Sequence, residues 1–120
     1  MILRLTCAAV IVLALPALAQ DRAGSGTGAV MRGLDKLSGE TVDVEIGIGE
    51  SQPVFGLDVL LYDCRFPADD PTGDAVAYVS VREDGRAQTI FDGWMMASAP
   101  ALNAVDHSRY DVWVLSCRLD

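Results

Sequence analysis

The chain has one histidine, His107, so any chemistry that needs an imidazole must use it. Ser98, Asp106, Ser108 and Asp111 lie near it in sequence and invite a Ser–His–Asp reading. Such a triad is defined by geometry, and no nucleophile-elbow motif accompanies these residues. A histidine that follows a short helix also interacts well with the helix dipole, so a capping or surface role competes. Asp69, Asp70 and Asp74 in "ADDPTGD" offer oxygen ligands to Ca2+. Their spacing is not that of a calcium loop and Pro71 constrains it, so a solvated acidic loop is the competing reading. Zinc has less support, because one histidine and two oxidised cysteines do not build a tetrahedral site. "GIGES", at 47–51, lacks the lysine and the following helix of a phosphate loop. The other acid–base groups are carboxylates spread over turns and strand exteriors, without the convergent polar cleft an enzyme needs. The expectation is therefore no catalytic residue, no metal and no cofactor. A small hydrolase or ligand-binding protein centred on His107 is the alternative.

The N-terminus bears on where these residues work. "MILR" carries one positive charge, and "LTCAAVIVLALPALA" follows as a short apolar run ending in small residues. Ala17-Leu18-Ala19 before Gln20 fits the A-x-A pattern of signal-peptide cleavage. The run is shorter than the roughly 20 apolar residues that span a bilayer. Residues 1–19 are thus expected to be a signal peptide cut after Ala19, with no membrane insertion afterwards. A lipid anchor on Cys7 is a poor fit, since Cys7 precedes the apolar core and follows Thr6. Export removes Cys7 and leaves Cys64 and Cys117, which in an oxidising compartment suggest one disulfide. Their wide separation argues against a redox-active pair, which usually reads C-x-x-C.

Seventeen acidic against nine basic residues give a net charge of −8, with a single lysine, Lys36. Such a surface repels nucleic acid and anionic headgroups. The length is that of one domain with a thin core.

Residues 20–27 ("QDRAGSGT") are small, polar and glycine-rich and read as a flexible leader to a β-domain over 28–120. "AVMRGLDK" is a candidate strand, and "LSGE" a turn. Thr41–Ile46 alternates, with Val42, Val44 and Ile46 facing inward and Asp43 and Glu45 facing water. "LDVLLYDCR" is nearly continuously apolar, as a strand covered on both faces would be. "AVAYVSVR" and "AQTIF" flank Glu83-Asp84-Gly85-Arg86, where Asp84-Gly85 signals a tight hairpin. "YDVWVLSCR" places Trp113, Leu115 and Cys117 on one face and Val112 and Val114 on the other. Pro100 to about Val105 reads as one short helix. About six strands with short turns make an all-β sandwich or partly closed barrel.

Within this frame "FDGWMMASAPALNAVDH" stands out. Trp94 and Met95 are neighbours, so in a strand they point to opposite faces. Either a second layer, such as the 100–105 segment folded back, covers the outer face, or a large apolar side chain meets solvent. Core packing and a partner-binding surface made of Trp94, Met95, Met96, Pro100 and Leu102 are the two outcomes.

"GWMMASAPALNAVDHSRYDVWVLSC", "AVMRGLDKLSGET" and "FGLDVLLYDCR" together resemble the alphaproteobacterial family known as domain of unknown function 2155. The resemblance runs from about Gly28 to Cys117. It implies a periplasmic protein of a Gram-negative bacterium with a signal peptide and two cysteines at corresponding places. Members tend to be encoded near a gene for a complex I accessory subunit. The family has no established activity, so the resemblance brings no catalytic residues. The expected function is a periplasmic, non-enzymatic interaction or assembly module whose partner is an envelope or membrane protein.

Overall fold

The computed structural model describes residues 8–11 and 23–120. The expected signal peptide and its cleavage site after Ala19 fall outside the described residues, save for 8–11, and so do residues 20–22. Eight strands follow in chain order. They are β1 (Ala23–Ser25), β2 (Gly28–Asp35), β3 (Thr41–Gly47) and β4 (Ser51–Val54). β5 (Leu57–Pro67), β6 (Val76–Glu83), β7 (Thr89–Met96) and β8 (Tyr110–Arg118) complete them. All pairings are antiparallel. One sheet runs β1-β5-β6-β7 with β4 also on β5, and the other runs β3-β2-β8. The fold is an all-β sandwich.

Alternation puts one face of each sheet into a common core. Ala29 and Met31 of β2, Ile46 of β3, and Val112 and Val114 of β8 come from one sheet. Leu57, Val59, Leu61, Ala77, Val79, Val81 and Met95 come from the other. Each fully buried Val, Leu or Met contributes roughly 1.5–3 kcal/mol relative to exposure. Gly33 is glycine for a packing reason, because a Cβ there would lie 2.2 Å from Val54 Cγ1. At the β6–β7 hairpin Gly85 takes φ 78° and the Arg86 N–H donates to the Glu83 carbonyl at 3.0 Å, as the Asp84-Gly85 signal implies.

Several expectations need correction. Ala23–Thr27 is not a flexible leader: β1 pairs with the end of β5, and the Gly26 N–H donates to the Cys64 carbonyl at 2.8 Å. Short, polar residues lengthen an edge here rather than forming a linker. No helix forms at 100–105, and none exists among the described residues. The Leu102 N–H donates to the Ala99 carbonyl, closing a single turn, and the chain then reaches β8 through irregular backbone in which the His107 N–H donates to the Val105 carbonyl at 3.1 Å. Pro100 starts a turn as readily as a helix. β5 is covered on one face only, with Tyr62 half exposed. Val42, near the start of an edge strand, remains 37% exposed although its parity is inward.

Parity also fails for Cys117. An extra residue in β8 opposite Val30–Met31 of β2 makes Val114 face Met31 and Cys117 face Ala29. Cys117 therefore joins Val112 and Val114 on the inner side, away from Trp113. β5 has a matching irregularity between Leu61 and Asp63, which brings Cys64 inward behind Leu57, Val59 and Leu61. The two bulges aim both sulfurs into the gap between the sheets, and a disulfide joins them at 2.07 Å.

Candidate functional site

His107 sits at one end of the sandwich, where β8 begins. Its Nδ1 accepts the backbone N–H groups of Arg109 and Tyr110, both at 3.0 Å. With Nδ1 an acceptor, the ring proton lies on Nε2, which donates to Glu83 Oε1 at 2.7 Å. The ring stacks on Tyr110, with centroids 5.3 Å apart, and Tyr110 stacks in turn on Phe55. The His107 carbonyl accepts from Lys36 Nζ at 2.6 Å. Both ring nitrogens are thus committed to holding the start of β8 against the end of β6. The bond from His107 holds the Glu83 carboxyl below its usual range.

Ser98 and Asp111, two of the residues a triad would draw on, are engaged with other partners. Ser98 Oγ donates to Asp74 Oδ2 at 2.6 Å, and its N–H donates to Asp74 Oδ1. Asp111 Oδ1 accepts the N–H of Val112. Beside His107, Asp35 is buried and its carboxylate takes Arg109 Nη2 at 3.1 Å and Nε at 3.3 Å. The bond from Arg109 lowers the Asp35 pKa. This end of the sandwich is a set of matched polar pairs. In the 69–74 loop, Asp70 Oδ1 accepts from Thr72 Oγ1 while Asp74 points to Ser98. Among the described residues no three His, Cys, Asp or Glu side chains converge as metal ligands.

The Trp94–Leu102 stretch divides between inside and outside. Met95 is 1% exposed and belongs to the core, so it is removed from the candidate binding residues. Its neighbours Trp94 and Met96 point the other way, as the pleat requires, and Met96 is 38% exposed. Pro100 and Leu102 lie exposed on the loop that leaves β7. That loop covers the edge of β7 rather than its outer face. Asn103 Nδ2 donates to the Trp94 carbonyl at 2.8 Å, and Val105 plugs the core.

Register defines what surrounds Trp94. On β6 it lies opposite Tyr78, which lies opposite Asp63 on β5, next to the bulged Tyr62. The Tyr78 and Trp94 rings meet edge to face at 5.2 Å, and Tyr62 and Tyr78 at 5.5 Å. The Arg65 guanidinium lies 5.3 Å from the Trp94 ring centroid. The Tyr78 hydroxyl donates to Asp92, which raises its pKa above the usual phenol value. The next row toward the end of β7 pairs Arg65, Val76 and Met96. An aromatic row thus crosses three strands on the outer face, bordered by arginines and carboxylates. Tyr62, Arg65 and Tyr78 were not singled out from sequence. Alternation in "AVAYVSVR" carried the signal for Tyr78, whereas the apolar run through β5 hid Tyr62.

The comparisons with known proteins bear on this whole unit. Residues 29–117 match the family described as an uncharacterized protein conserved in bacteria (DUF2155). The chain belongs to that family. No curated protein and no solved structure matches the chain. The DUF2155 match starts one residue into β2 and ends at Cys117, so it takes in both disulfide cysteines, the aromatic row and the His107 corner, and omits β1.

Proposed function

We propose that this DUF2155 member is a periplasmic, non-enzymatic interaction module that docks an envelope or membrane protein through the outer face around Trp94. The observation that carries this reading is the row Tyr62–Tyr78–Trp94 with exposed Met96 beside it, on a sheet face that no second layer of the described chain covers. Aromatic residues, methionine and arginine are the residue types enriched in the cores of protein interfaces. The acidic balance of the chain favours a partner whose contact rim is basic. The leader-like N-terminus and the Cys64–Cys117 disulfide support an oxidising compartment outside the cytoplasm. The committed nitrogens of His107 favour this reading over a hydrolase or ligand-binding protein that uses the imidazole.

A photo-crosslinking side chain at position 96, introduced in the native host, tests the proposal. One reproducible envelope protein should be captured from position 96, none from position 43 on the outer face of the opposite sheet, and Trp94→Ala should abolish capture. Equal capture from both faces, or capture indifferent to Trp94→Ala, would remove the aromatic face as the docking surface. Cell fractionation with a tagged chain tests the compartment, and a cytoplasmic protein would overturn that part.

A further inference from the structure

The same outer sheet face carries a second feature, on the far side of the aromatic row from Met96. Ser51, Leu60 and Ser80 form one cross-strand row, and Pro53, Asp58, Arg82 and Thr89 form the next. Ser51, Ser80, Ala87 and Thr89 are short, whereas Tyr62 and Arg82 are long. The difference leaves an open recess of about 270 Å3. That is near the lower end of ligand sites, about 300 Å3, so it has room for one small ring.

The walls of the recess are chemically specific. The hydroxyls of Ser51, Tyr62, Ser80 and Thr89 can each donate and accept a hydrogen bond. At one side Arg82 Nε and Nη2 donate to Asp58 Oδ2 at 3.0 and 2.9 Å, leaving Asp58 Oδ1 and the other guanidinium N–H groups available to a ligand. This pair contributes no net charge, so an ionic ligand would meet no compensating charge among the lining residues. Adjacent hydroxyls on a ligand, which donate and accept together, match a carboxylate and a guanidinium side by side. Tyr62 and Leu60 add an aromatic ring and an aliphatic side chain to the lining.

The geometry points to a carbohydrate-binding site in which an uncharged pyranose unit of a glycan chain occupies the recess. A unit of a chain fits better than a free monosaccharide, because the site is open on the solvent side and free small ligands favour sites that bury most of their surface. The inference goes beyond protein docking and does not depend on it. The recess is built from rows that substitution of Met96 leaves intact.

The test is an amide chemical-shift titration of the oxidised protein with chitotetraose, maltotetraose and, as the monosaccharide arm, glucose. At least one tetrasaccharide should give saturable shifts centred on Ser51, Leu60, Ser80 and Thr89, with glucose about tenfold weaker or more. Arg82→Ala, which removes the donors, and Ser80→Met, which fills the recess, should each weaken binding by about tenfold or more, while Met96→Ala leaves it unchanged. Conversely, Arg82→Ala should retain the cross-link from position 96, which separates failure of one reading from failure of the other. Three results would overturn the site: no saturable shift with either tetrasaccharide, binding untouched by both recess substitutions, or the same amides responding only to a Lys/Arg-rich peptide.

Discussion

Cys64 and Cys117 are 5.7 Å apart at Cα and belong to different sheets, yet neither points inward by the parity of its own strand's first half. Each strand carries one extra residue ahead of its cysteine, and the two resets together make the bridge. The disulfide closes a loop with a sequence separation of 53 residues. Chain entropy sets its stabilisation at about 4 kcal/mol as an upper figure. The β1–β2 crossover runs over it, and a Cβ on Gly26 would lie 2.9 Å from Cys117 Cβ.

Replacing both cysteines by alanine should therefore lower the melting temperature by roughly 10 °C or more, since each kcal/mol moves Tm by about 4–8 °C in a domain this small. Reduction of the native protein should do the same. Calorimetry with and without reductant checks it, and a shift of only one or two degrees would mean that the bulged strands hold the sheets together unaided.

The three neighbours Trp94, Met95 and Met96 should separate sharply under alanine substitution. Met95→Ala opens a cavity in the core and should cost about 2–5 kcal/mol. Trp94→Ala loses the Tyr78 edge contact and the Arg65 cation–π contact, for about 1–2 kcal/mol. Met96→Ala should stay within about 0.5 kcal/mol. Urea titration of the three variants gives the order, and a Met96 effect as large as that of Met95 would place Met96 in the core.

Much of this architecture was legible in the residues. Alternation over Thr41–Ile46 and Ala75–Arg82 placed two strands, Asp84-Gly85 placed the hairpin, and compartment plus count paired the cysteines. The rest failed for identifiable reasons. A bulge cancels period-2 reasoning, so Cys117 was assigned to the face of Trp113. The continuous apolar run in β5 concealed that Tyr62 and Leu60 lie outside the core, and with them the aromatic row and the recess. β1 and β4 are short edge strands held by pairing to β5, and "AGS" and "SQPV" have no apolar pattern to announce them. The pairing of His107 with Glu83 spans 24 residues of sequence and belongs to the tertiary fold alone.

Acid should weaken the same end of the molecule. Asp35 is held below its usual pKa first by the hydrogen bond from Arg109, and Glu83 first by the one from His107. As pH falls, the unfolded chain takes up these protons before the native one, so stability drops. The contribution is complete above the ordinary carboxylate range and is lost below about pH 4. Urea melts from pH 6 downward should show this loss, and Asp35→Asn should start less stable and fall less steeply. A variant that tracks the native slope would show that the Asp35–Arg109 pair does not govern the acid limb.

His107 itself offers the most discriminating substitution. Its Nδ1 accepts two backbone N–H groups, two and three residues ahead, a pattern that the side-chain oxygen of asparagine also makes. Asparagine Oδ1 occupies the same position along the side chain as Nδ1. His107→Asn therefore keeps those two bonds and loses the Glu83 bond and the Tyr110 stack, whereas His107→Ala loses all of them. Each net hydrogen bond is worth about 0.5–1.5 kcal/mol, and an N–H left unpartnered costs about 1–3 kcal/mol. His107→Asn should thus retain clearly more stability than His107→Ala, with Glu83→Gln, whose amide oxygen still accepts from Nε2, falling closer to the native protein than either. Equal loss in His107→Asn and His107→Ala would mean that the contacts made by Nε2 and the ring face, rather than the backbone bonds to Nδ1, hold β8 in place.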